Sequence, residues 1–306
     1  YQNGNIYRQR FEFAYDKVTE YIDKLTNLYE MLALDQADYY LNIIYRKIEV
    51  EDVDISMEHR FKFLEIYAYV TMNLDKMSDA LLYCNNMRFI LEENNDCEMN
   101  YTYNYLKAQI SMYSTQKDNA DVYVQRCKKL CEQINNPFLT FKTKILALMN
   151  EFSGWRNLWL LTEDKYVEPE IIDECIRYEH YNHLAHIYVY AFDNDPSKYV
   201  STETVDKNIE NYNRGIAIAN RIGNDRFIID AYKKSVMTAS TNGYFDVSNH
   251  FYSKCYEVVS RIGNAFEEAN IYNGMGYNCS TMEKHSKASE YFNKALLIFT
   301  KLKDVN

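Results

Sequence analysis

The sequence has very few residues that interrupt helices. Its 306 residues include only 8 glycines and 3 prolines, the residue types that most strongly break regular structure. Apolar residues recur at intervals of three and four along most of the chain, which is the period of an amphipathic helix. We therefore predict an all-α fold of roughly a dozen helices without a β-sheet.

Positive charge and long apolar runs are also scarce. The chain has 34 Lys and Arg against 44 Asp and Glu, so its formal charge is −10, and an acidic chain lacks the basic surface that binding of nucleic acid requires. No apolar run approaches the roughly 20 residues of a membrane span. The chain starts without Met and without a signal-like apolar segment, which predicts part of a longer cytoplasmic protein that does not contact a membrane.

The residue patterns of common catalytic and metal sites are absent. There is no glycine-rich phosphate loop, no CxxC pair and no nucleophile spaced next to a base. His180, His183 and His186 follow one another at intervals of three, but Glu179 and His180 do not begin the HExxH pattern of zinc enzymes. We predict no enzymatic activity, no cofactor and no metal in this segment.

What the sequence does contain is a repeated helical hairpin, clearest in residues 261–304. Two amphipathic stretches are joined there by a short polar turn. Small residues at Gly276 and Ala288 would let the two helices approach closely, and Phe292 would fill the space beside them. The signature positions of the pair are Tyr272, Met275, Gly276 and Cys279, followed by Ala288, Phe292 and Ala295.

The same positions recur at a fixed interval. Ala80 and Ala120 are roughly 40 residues apart, which is also the separation of Ser248 and Ala288. The sequence RIGN begins at both 221 and 261, at the same separation. We call this separation the repeat interval. The glycine of each RIGN would end a helix in the left-handed conformation, which glycine adopts without steric cost. The order of large, small and aromatic positions resembles the tetratricopeptide repeat (TPR), whose usual period of roughly 34 residues is shorter than the repeat interval.

That resemblance implies a right-handed superhelical solenoid of antiparallel helix pairs that binds proteins or peptides. We predict one repeat domain over residues 1–306, and we expect it to be a fragment of a longer protein. Its predicted parts are an atypical N-terminal hairpin (1–56), two repeats (57–136), an irregular middle (137–203) and C-terminal repeats (204–306).

Two expectations concern that irregular middle. A single long helix is predicted from Pro169 through Ala191, followed by a polar loop. Trp155 and Trp159 are four residues apart and form either a local hydrophobic plug or an aromatic pair that anchors a ligand.

Four of the seven cysteines fall on repeat positions that favour small apolar residues. They are Cys84, Cys127, Cys255 and Cys279. Because a free cysteine packs as a small hydrophobic residue, we predict that these thiols are buried and reduced.

In TPR proteins the first helix of each pair lines the concave groove, so the resemblance also implies candidate binding residues. Asn, Gln, Tyr and Met are common among them, which suits a protein segment or a short peptide held through its backbone. The groove candidates are Glu65, Tyr69, Tyr105, Gln109, Met112, Lys233, Met237, Asn270, Asn273 and Tyr277. The secondary candidates are Trp155, Trp159, His183 and His186.

The Tyr-, Asn- and Lys-rich composition with long repeats is similar to that of Gram-positive signalling proteins. Two kinds are implied: TPR sensory regions attached to diguanylate cyclases in clostridia, and cytoplasmic receptors of quorum-sensing peptides. Three functions stay open on the sequence alone: a regulatory module of a larger signalling protein, a stand-alone peptide receptor, and a structural scaffold or oligomerisation arm. The sequence also leaves a homodimer open.

Overall fold

The computed structural model describes residues 18–30, 34–49, 53–94, 96–114, 117–151, 169–191 and 200–303. These residues are helical apart from short turns and caps, and none of them forms a β-strand. The chain divides between Glu179 and His180 into two compact units, which we call the N-terminal and the C-terminal unit. The all-α prediction is confirmed, whereas the single-domain organisation and the right-handed superhelix stay predictions.

The N-terminal unit contains eight described helices, paired in sequence order. They are α1 (Val18–Glu30), α2 (Leu34–Glu49), α3 (Met57–Asn73), α4 (Met77–Glu93), α5 (Cys97–Tyr113), α6 (Lys117–Ile134), α7 (Pro137–Glu151) and α8 (Pro169–Arg177).

The C-terminal unit contains six described helices and a short π-helical turn. They are α9 (Tyr181–His186), the π-helical turn Ile187–Ala191, α10 (Thr202–Ile222), α11 (Asp225–Thr241), α12 (Phe245–Ile262), α13 (Ala265–Thr281) and α14 (His285–Lys303).

The helix starts reproduce the repeat interval. Helices α3 and α5 start one repeat interval apart, and so do α11 and α13. Equivalent cap residues precede them: Asn224 accepts a hydrogen bond from the amide of Phe227, and Asn264 accepts one from the amide of Glu267. A side-chain cap of this kind satisfies an amide that has no partner inside the helix. The capping residues in the sequence therefore fix where the first helix of each repeat starts.

Glycine ends α10 and α12, two of the second helices of the C-terminal unit. Gly223 follows α10 with φ of 73°, and Gly263 follows α12 with φ of 75°. Both are in the left-handed region that side chains with a Cβ disfavour. The predicted helix ends are confirmed.

Small residues bring the paired helices together, as the repeat pattern predicts. Ala68 on α3 and Ala80 on α4 are fully buried, and so are their equivalents Ala108 on α5 and Ala120 on α6. In the C-terminal unit the Tyr252 ring on α12 occupies the space that a Cβ at Gly274 on α13 would need. Glycine at this position is therefore required for close packing of one pair on the next.

Buried tyrosines connect neighbouring pairs through their hydroxyl groups. Tyr67 on α3 donates to Asn42 Oδ1 on α2 at 2.7 Å, and Tyr101 on α5 donates to the Leu139 carbonyl on α7 at 3.1 Å. Each ring adds buried apolar area while its hydroxyl keeps a partner. The high tyrosine content thus serves the packing between repeats.

The single long helix predicted from Pro169 to Ala191 is wrong. Helix α8 ends at Arg177, Glu179 has φ of 57°, and α9 starts at Tyr181. The ring of Tyr178 packs against Phe138 and Phe141 of α7, with ring centroids 5.5 and 4.9 Å apart. Since this contact fixes Tyr178 on α7, the chain turns there instead of continuing as a helix.

Some expectations fall outside the described residues. Trp155 and Trp159 lie in 152–168, and most of the predicted polar loop lies in 192–199. Across the part of the chain that the structure does describe, no helix has the length and apolar character needed to cross a membrane.

The four signature cysteines are buried, as predicted. Cys84, Cys127, Cys255 and Cys279 are at most 3% exposed, while Cys97 at the start of α5 is exposed. Burial raises the pKa of Cys84, Cys127 and Cys255 to about 12, so these thiols are neither accessible nor ionised at neutral pH.

We therefore expect a thiol reagent to label Cys97 within seconds in the native protein, and the buried thiols only at the rate of local unfolding. Mass spectrometry of peptides from a timed reaction would measure both rates. Complete labelling of Cys84, Cys127 and Cys255 as fast as Cys97 would contradict their packed positions.

Candidate functional site

Five predicted groove residues of the N-terminal unit lie on two neighbouring first helices, and we call them the first-helix line. They are Glu65 and Tyr69 on α3 and Tyr105, Gln109 and Met112 on α5. Glu65 and Tyr105 are one repeat interval apart, as are Tyr69 and Gln109, so they occupy equivalent positions on helices that pack together. The line therefore runs across two repeats.

The α5 part of this line is more enclosed than a groove surface would be. Tyr105, Gln109 and Met112 are buried, because α5 packs against α3, α4, α6 and α7. Tyr69 is half-buried, and half-buried Glu65 pairs with Lys62 on its own helix at 3.0 Å. The first-helix line is therefore buried on α5 and partly exposed on α3.

Gln109 is the unusual member of the first-helix line. The residue is 3% exposed, and its side-chain oxygen Oε1 is buried without a hydrogen-bond partner among the described residues. A buried amide oxygen without a donor costs roughly 1–3 kcal/mol. A donor from outside the described residues, such as a water molecule or a ligand, would satisfy it.

The tyrosines around Gln109 are neutral hydrogen-bonding groups. Burial raises the pKa of Tyr69 to about 12, despite a hydrogen bond with Asn73 that lowers it. Burial also raises the pKa of Tyr105 well above its ordinary value. Both hydroxyls therefore stay protonated at neutral pH and can donate to an acceptor.

One cation beside the first-helix line was not predicted from the sequence. The Lys142 amine on α7 lies 4.6 Å from the centroid of the Tyr105 ring and 5.8 Å from that of Phe138, which is within the range of a cation–π interaction. The sequence signal that could have found Lys142 is Pro137. It starts α7 one repeat interval after the start of α5, so α7 is the first helix of the next pair.

In the C-terminal unit, Lys233 does not present a free amine to a groove. Lys233 on α11 forms an ion pair with Glu267 on the following first helix α13, with Nζ and Oε1 2.6 Å apart. Met237, one turn further on α11, is half-buried. These two side chains thus lie along the border between neighbouring repeats.

Asn270, Asn273 and Tyr277 lie on one face of α13 together with Phe266, since the four residues are spaced by four, three and four. The Phe266 ring contacts Phe299 of α14, and the Tyr277 ring contacts Phe292, with centroids 5.8 and 5.3 Å apart. This face therefore adjoins one side of α14. We call the combined surface the end face: Phe266, Asn270, Asn273 and Tyr277 of α13 with Phe292, Leu296 and Phe299 of α14.

The two asparagines of the end face have side chains available for binding. Both are half-exposed, and neither side-chain amide is hydrogen-bonded within the described ranges. Asn273 is equivalent to Lys233, whose amine reaches the next first helix. The end face thus points to the side on which a further first helix would pack, and its assignment to a ligand groove stays a prediction.

The secondary candidates His183 and His186 lie on α9. The ring of His183 stacks on His180 with centroids 5.5 Å apart, and His186 Nδ1 lies 2.7 Å from the Asn182 carbonyl oxygen. The His186 ring also packs on Phe227, at 4.3 Å between centroids. Among the described residues, no group of three or more His, Cys, Asp or Glu is placed to hold a metal ion.

Comparison by sequence finds no relative. No protein family model matches the chain, and no curated protein matches it.

Comparison by structure finds Rap proteins. The crystal structure of a Rap protein complexed with competence and sporulation factor is similar over 95% of this chain and 78% of that chain, with a TM-score of 0.55 and 13% identity. The apo form of RapI is similar over 93% of this chain and 77% of that chain, with a TM-score of 0.56 and 10% identity. The chain thus has the TPR-like helical-repeat fold that it shares with Rap proteins.

Proposed function

We propose that this chain is a binding module that holds an extended protein segment or a short peptide, and that it acts as the regulatory part of a bacterial signalling protein. The observation that carries the proposal is Gln109, whose buried side-chain oxygen is without a donor among the described residues. A peptide N–H is a donor of the right kind, and the Gln109 amide group can donate to the next peptide carbonyl.

The surroundings of Gln109 support an uncharged, partly apolar ligand. Tyr69, Tyr105 and Met112 supply aromatic and thioether contacts that adapt to different side chains. Two tyrosine hydroxyls can donate to peptide carbonyls.

The similarity to a Rap protein complexed with competence and sporulation factor supports the same class of function. It also favours the second candidate, a stand-alone receptor for a signalling peptide. The full-length reading frame separates the two, because an output domain joined to this chain fits a regulatory module and its absence fits a receptor.

The test compares binding with stability in one variant. Gln109→Met removes the unpartnered oxygen but keeps the length of the side chain. We expect the variant to melt at or above the temperature of the parent, because a buried polar group without a partner is lost. We also expect its affinity for peptides to fall about tenfold or more, as a lost buried hydrogen bond implies.

The measurement is fluorescence polarisation with a defined library of short synthetic peptides, which identifies the peptides that bind the parent. Gln125→Met on α6 is the matched control, since Gln125 is exposed, and it should bind like the parent. Equal affinities of the Gln109→Met variant and the parent would refute the site, and the absence of any bound peptide would refute the function.

A further inference from the structure

We propose that the N-terminal unit binds a phosphate group at a cluster of hydrogen-bond donors on α4, α5 and α6, with buried Lys107 as its innermost residue. We call it the cation cluster, and it consists of Asn85, Arg88, Tyr103, Lys107, Tyr123 and Arg126. The proposal is independent of the peptide site, because Lys107 and Gln109 lie about 200° apart around α5.

Lys107 places a charge at a repeat position that is uncharged on α3 and α13. It follows Tyr67 by one repeat interval, and both occupy the signature position of Met275. Lys107 is only 9% exposed, although lysine is almost never buried unless it is paired with an opposite charge. Among the described residues it forms no ion pair, and its amine donates to the neutral Asn85 Oδ1 on α4 at 2.7 Å.

The hydrogen bond between repeats at this position does not require a charge. Tyr67 on α3 makes the equivalent bond to Asn42 on α2, the second helix of the preceding pair, with a neutral hydroxyl. Burial lowers the pKa of Lys107, and the positive charge of Arg88 lowers it further, so the ammonium form is disfavoured where it lies. Packing of the repeats therefore does not account for the charge, whereas an anion beside the amine would.

Three successive helices each contribute two donors to the cation cluster. Members of each pair are three or four residues apart and so share one helix face; the pairs are Asn85 and Arg88 on α4, Tyr103 and Lys107 on α5, and Tyr123 and Arg126 on α6. Burial raises the pKa of Tyr103 to about 12, even though Arg88 and Arg126 act to lower it. Cations from α4 and α6 thus lie near one hydroxyl of α5.

The cation cluster is open to solvent on one side. Asn85 is exposed, so the Lys107 amine that it binds lies at the edge of the contact between α4 and α5. Arg88 and Arg126 are exposed as well, and the two tyrosines are half-buried. An ion can therefore approach the amine without separation of the repeats.

The two arginines keep donors available for a ligand. Arg88 uses its Nε for Glu92 at 3.0 Å, and both of these side chains are more than half exposed, so this pair is weak and leaves the terminal nitrogens of Arg88 available. The Arg126 guanidinium lies 5.4 Å from the centroid of the Tyr123 ring and forms no ion pair within the described part of the chain.

The composition of the cation cluster favours phosphate over a carboxylate. All of its members can donate hydrogen bonds, and its lysine and arginines are positively charged. A phosphate monoester carries roughly −1.5 to −2 charges at neutral pH and three acceptor oxygens, and arginine binds it in a bidentate manner. Because the whole chain has a formal charge of −10, general attraction of anions would not produce binding here.

The experiment is isothermal titration calorimetry at constant ionic strength with inorganic phosphate, phenyl phosphate and acetate. We expect one phosphate group to bind each chain, and acetate to bind at least about tenfold more weakly. Tighter binding of phenyl phosphate than of inorganic phosphate would indicate a phosphorylated organic molecule as the ligand, and the reverse order would indicate the free ion.

Three variants test the residues. Lys107→Gln removes the charge but keeps a donor for Asn85, and it should raise the dissociation constant of phosphate about tenfold or more. Arg126→Gln should also weaken binding. Lys128→Gln is the matched control, because Lys128 is an exposed cation on α6 about 200° from Arg126, and it should bind phosphate like the parent.

Circular dichroism melts would verify that each variant is folded. A parent that does not bind phosphate, or that binds acetate equally well, would overturn the proposal. So would unchanged binding by a folded Lys107→Gln variant, or an equal loss in Lys128→Gln and Arg126→Gln. If Lys107→Gln does not fold, Arg126→Gln decides the question alone, because its side chain is exposed and phosphate binding like that of the parent would overturn the site.

Discussion

Raising the pH from 9 towards 12 is expected to unfold this protein, because its buried thiols resist ionisation only in the folded state. Burial raises the pKa of Cys84, Cys127, Cys175 and Cys255 from 9.0 to about 12. In the unfolded chain the same thiols ionise near their ordinary pKa. The folded state therefore binds more protons above pH 9, and its stability falls as pH rises.

The expected effect is large. Each of the four thiols removes up to roughly 1.4 kcal/mol per pH unit between the two pKa values, which is about 5 kcal/mol per unit for all four. A typical domain has a free energy of unfolding of about 5–15 kcal/mol, so native structure should be lost within this window. Well below pH 9, where the thiols are protonated in the unfolded chain as well, these groups contribute no pH dependence.

Urea unfolding followed by circular dichroism at a series of pH values measures this slope. Cys255→Ala should make the decline shallower by up to roughly 1.4 kcal/mol per pH unit. Cys97→Ala, at the exposed thiol, is the control and should leave the slope unchanged. A free energy of unfolding that stays level from pH 9 to 11 would contradict the burial of these thiols.

Replacing Gly276 with Leu is expected to destabilise the last helical pair by about 1–3 kcal/mol or more, because the added side chain overpacks the contact. A Cβ at this position would lie 2.6 and 2.7 Å from two carbons of the Phe292 ring, which is well inside van der Waals contact. The sequence predicted that Phe292 fills the space beside Gly276 and Ala288, and the structure places the Phe292 ring against Gly276.

Thermal melts of four proteins test this contact: the parent, Gly276→Leu, Phe292→Ala and the double variant. If the ring is the obstacle, Gly276→Leu should cost less once Phe292 has been truncated, so the two changes should not add. Ser280→Leu is the control, because Ser280 is exposed on the same helix. A Gly276→Leu variant that melts like the parent would show that the packing of α13 on α14 is not as described.

Local sequence features were sufficient to predict the repeats. The repeat interval, the glycine helix ends at Gly223 and Gly263 and the buried small residues follow from helical periodicity and from glycine's conformational freedom. Each of these features depends on residues that are near one another in the sequence, so a single sequence is enough to identify it.

The break between α8 and α9 could not be found in this way. Glu179 is an ordinary helix former, and it takes a left-handed conformation because Tyr178 packs against α7, a helix far earlier in the sequence. The π-helical turn Ile187–Ala191 has no sequence signature either. At the break between α8 and α9 a contact distant in sequence overrides local preference.

The candidate site was predicted in part. Position in the repeat identified Tyr69 and Gln109, but it could not show that Gln109 is buried without a partner among the described residues, because burial depends on the neighbouring helices. The end face could have been found by comparing positions one repeat interval apart: Arg226 on α11 is replaced by Phe266 on α13, and Tyr256 by Leu296. At the first of these positions a charged residue is replaced by an exposed apolar one, and at the second a half-buried residue is replaced by an exposed apolar one.

The repeated helix boundaries also bear on how a gene for such a protein changes length. Gly223 and Asn224 end α10 and cap α11, while Gly263 and Asn264 do the same for α12 and α13. Recombination between these two boundaries would remove residues 225–264 and join the first glycine cap directly to α13. Because no new loop is created, whole helical pairs can be gained or lost in a single genetic event without an unpaired helix being left behind.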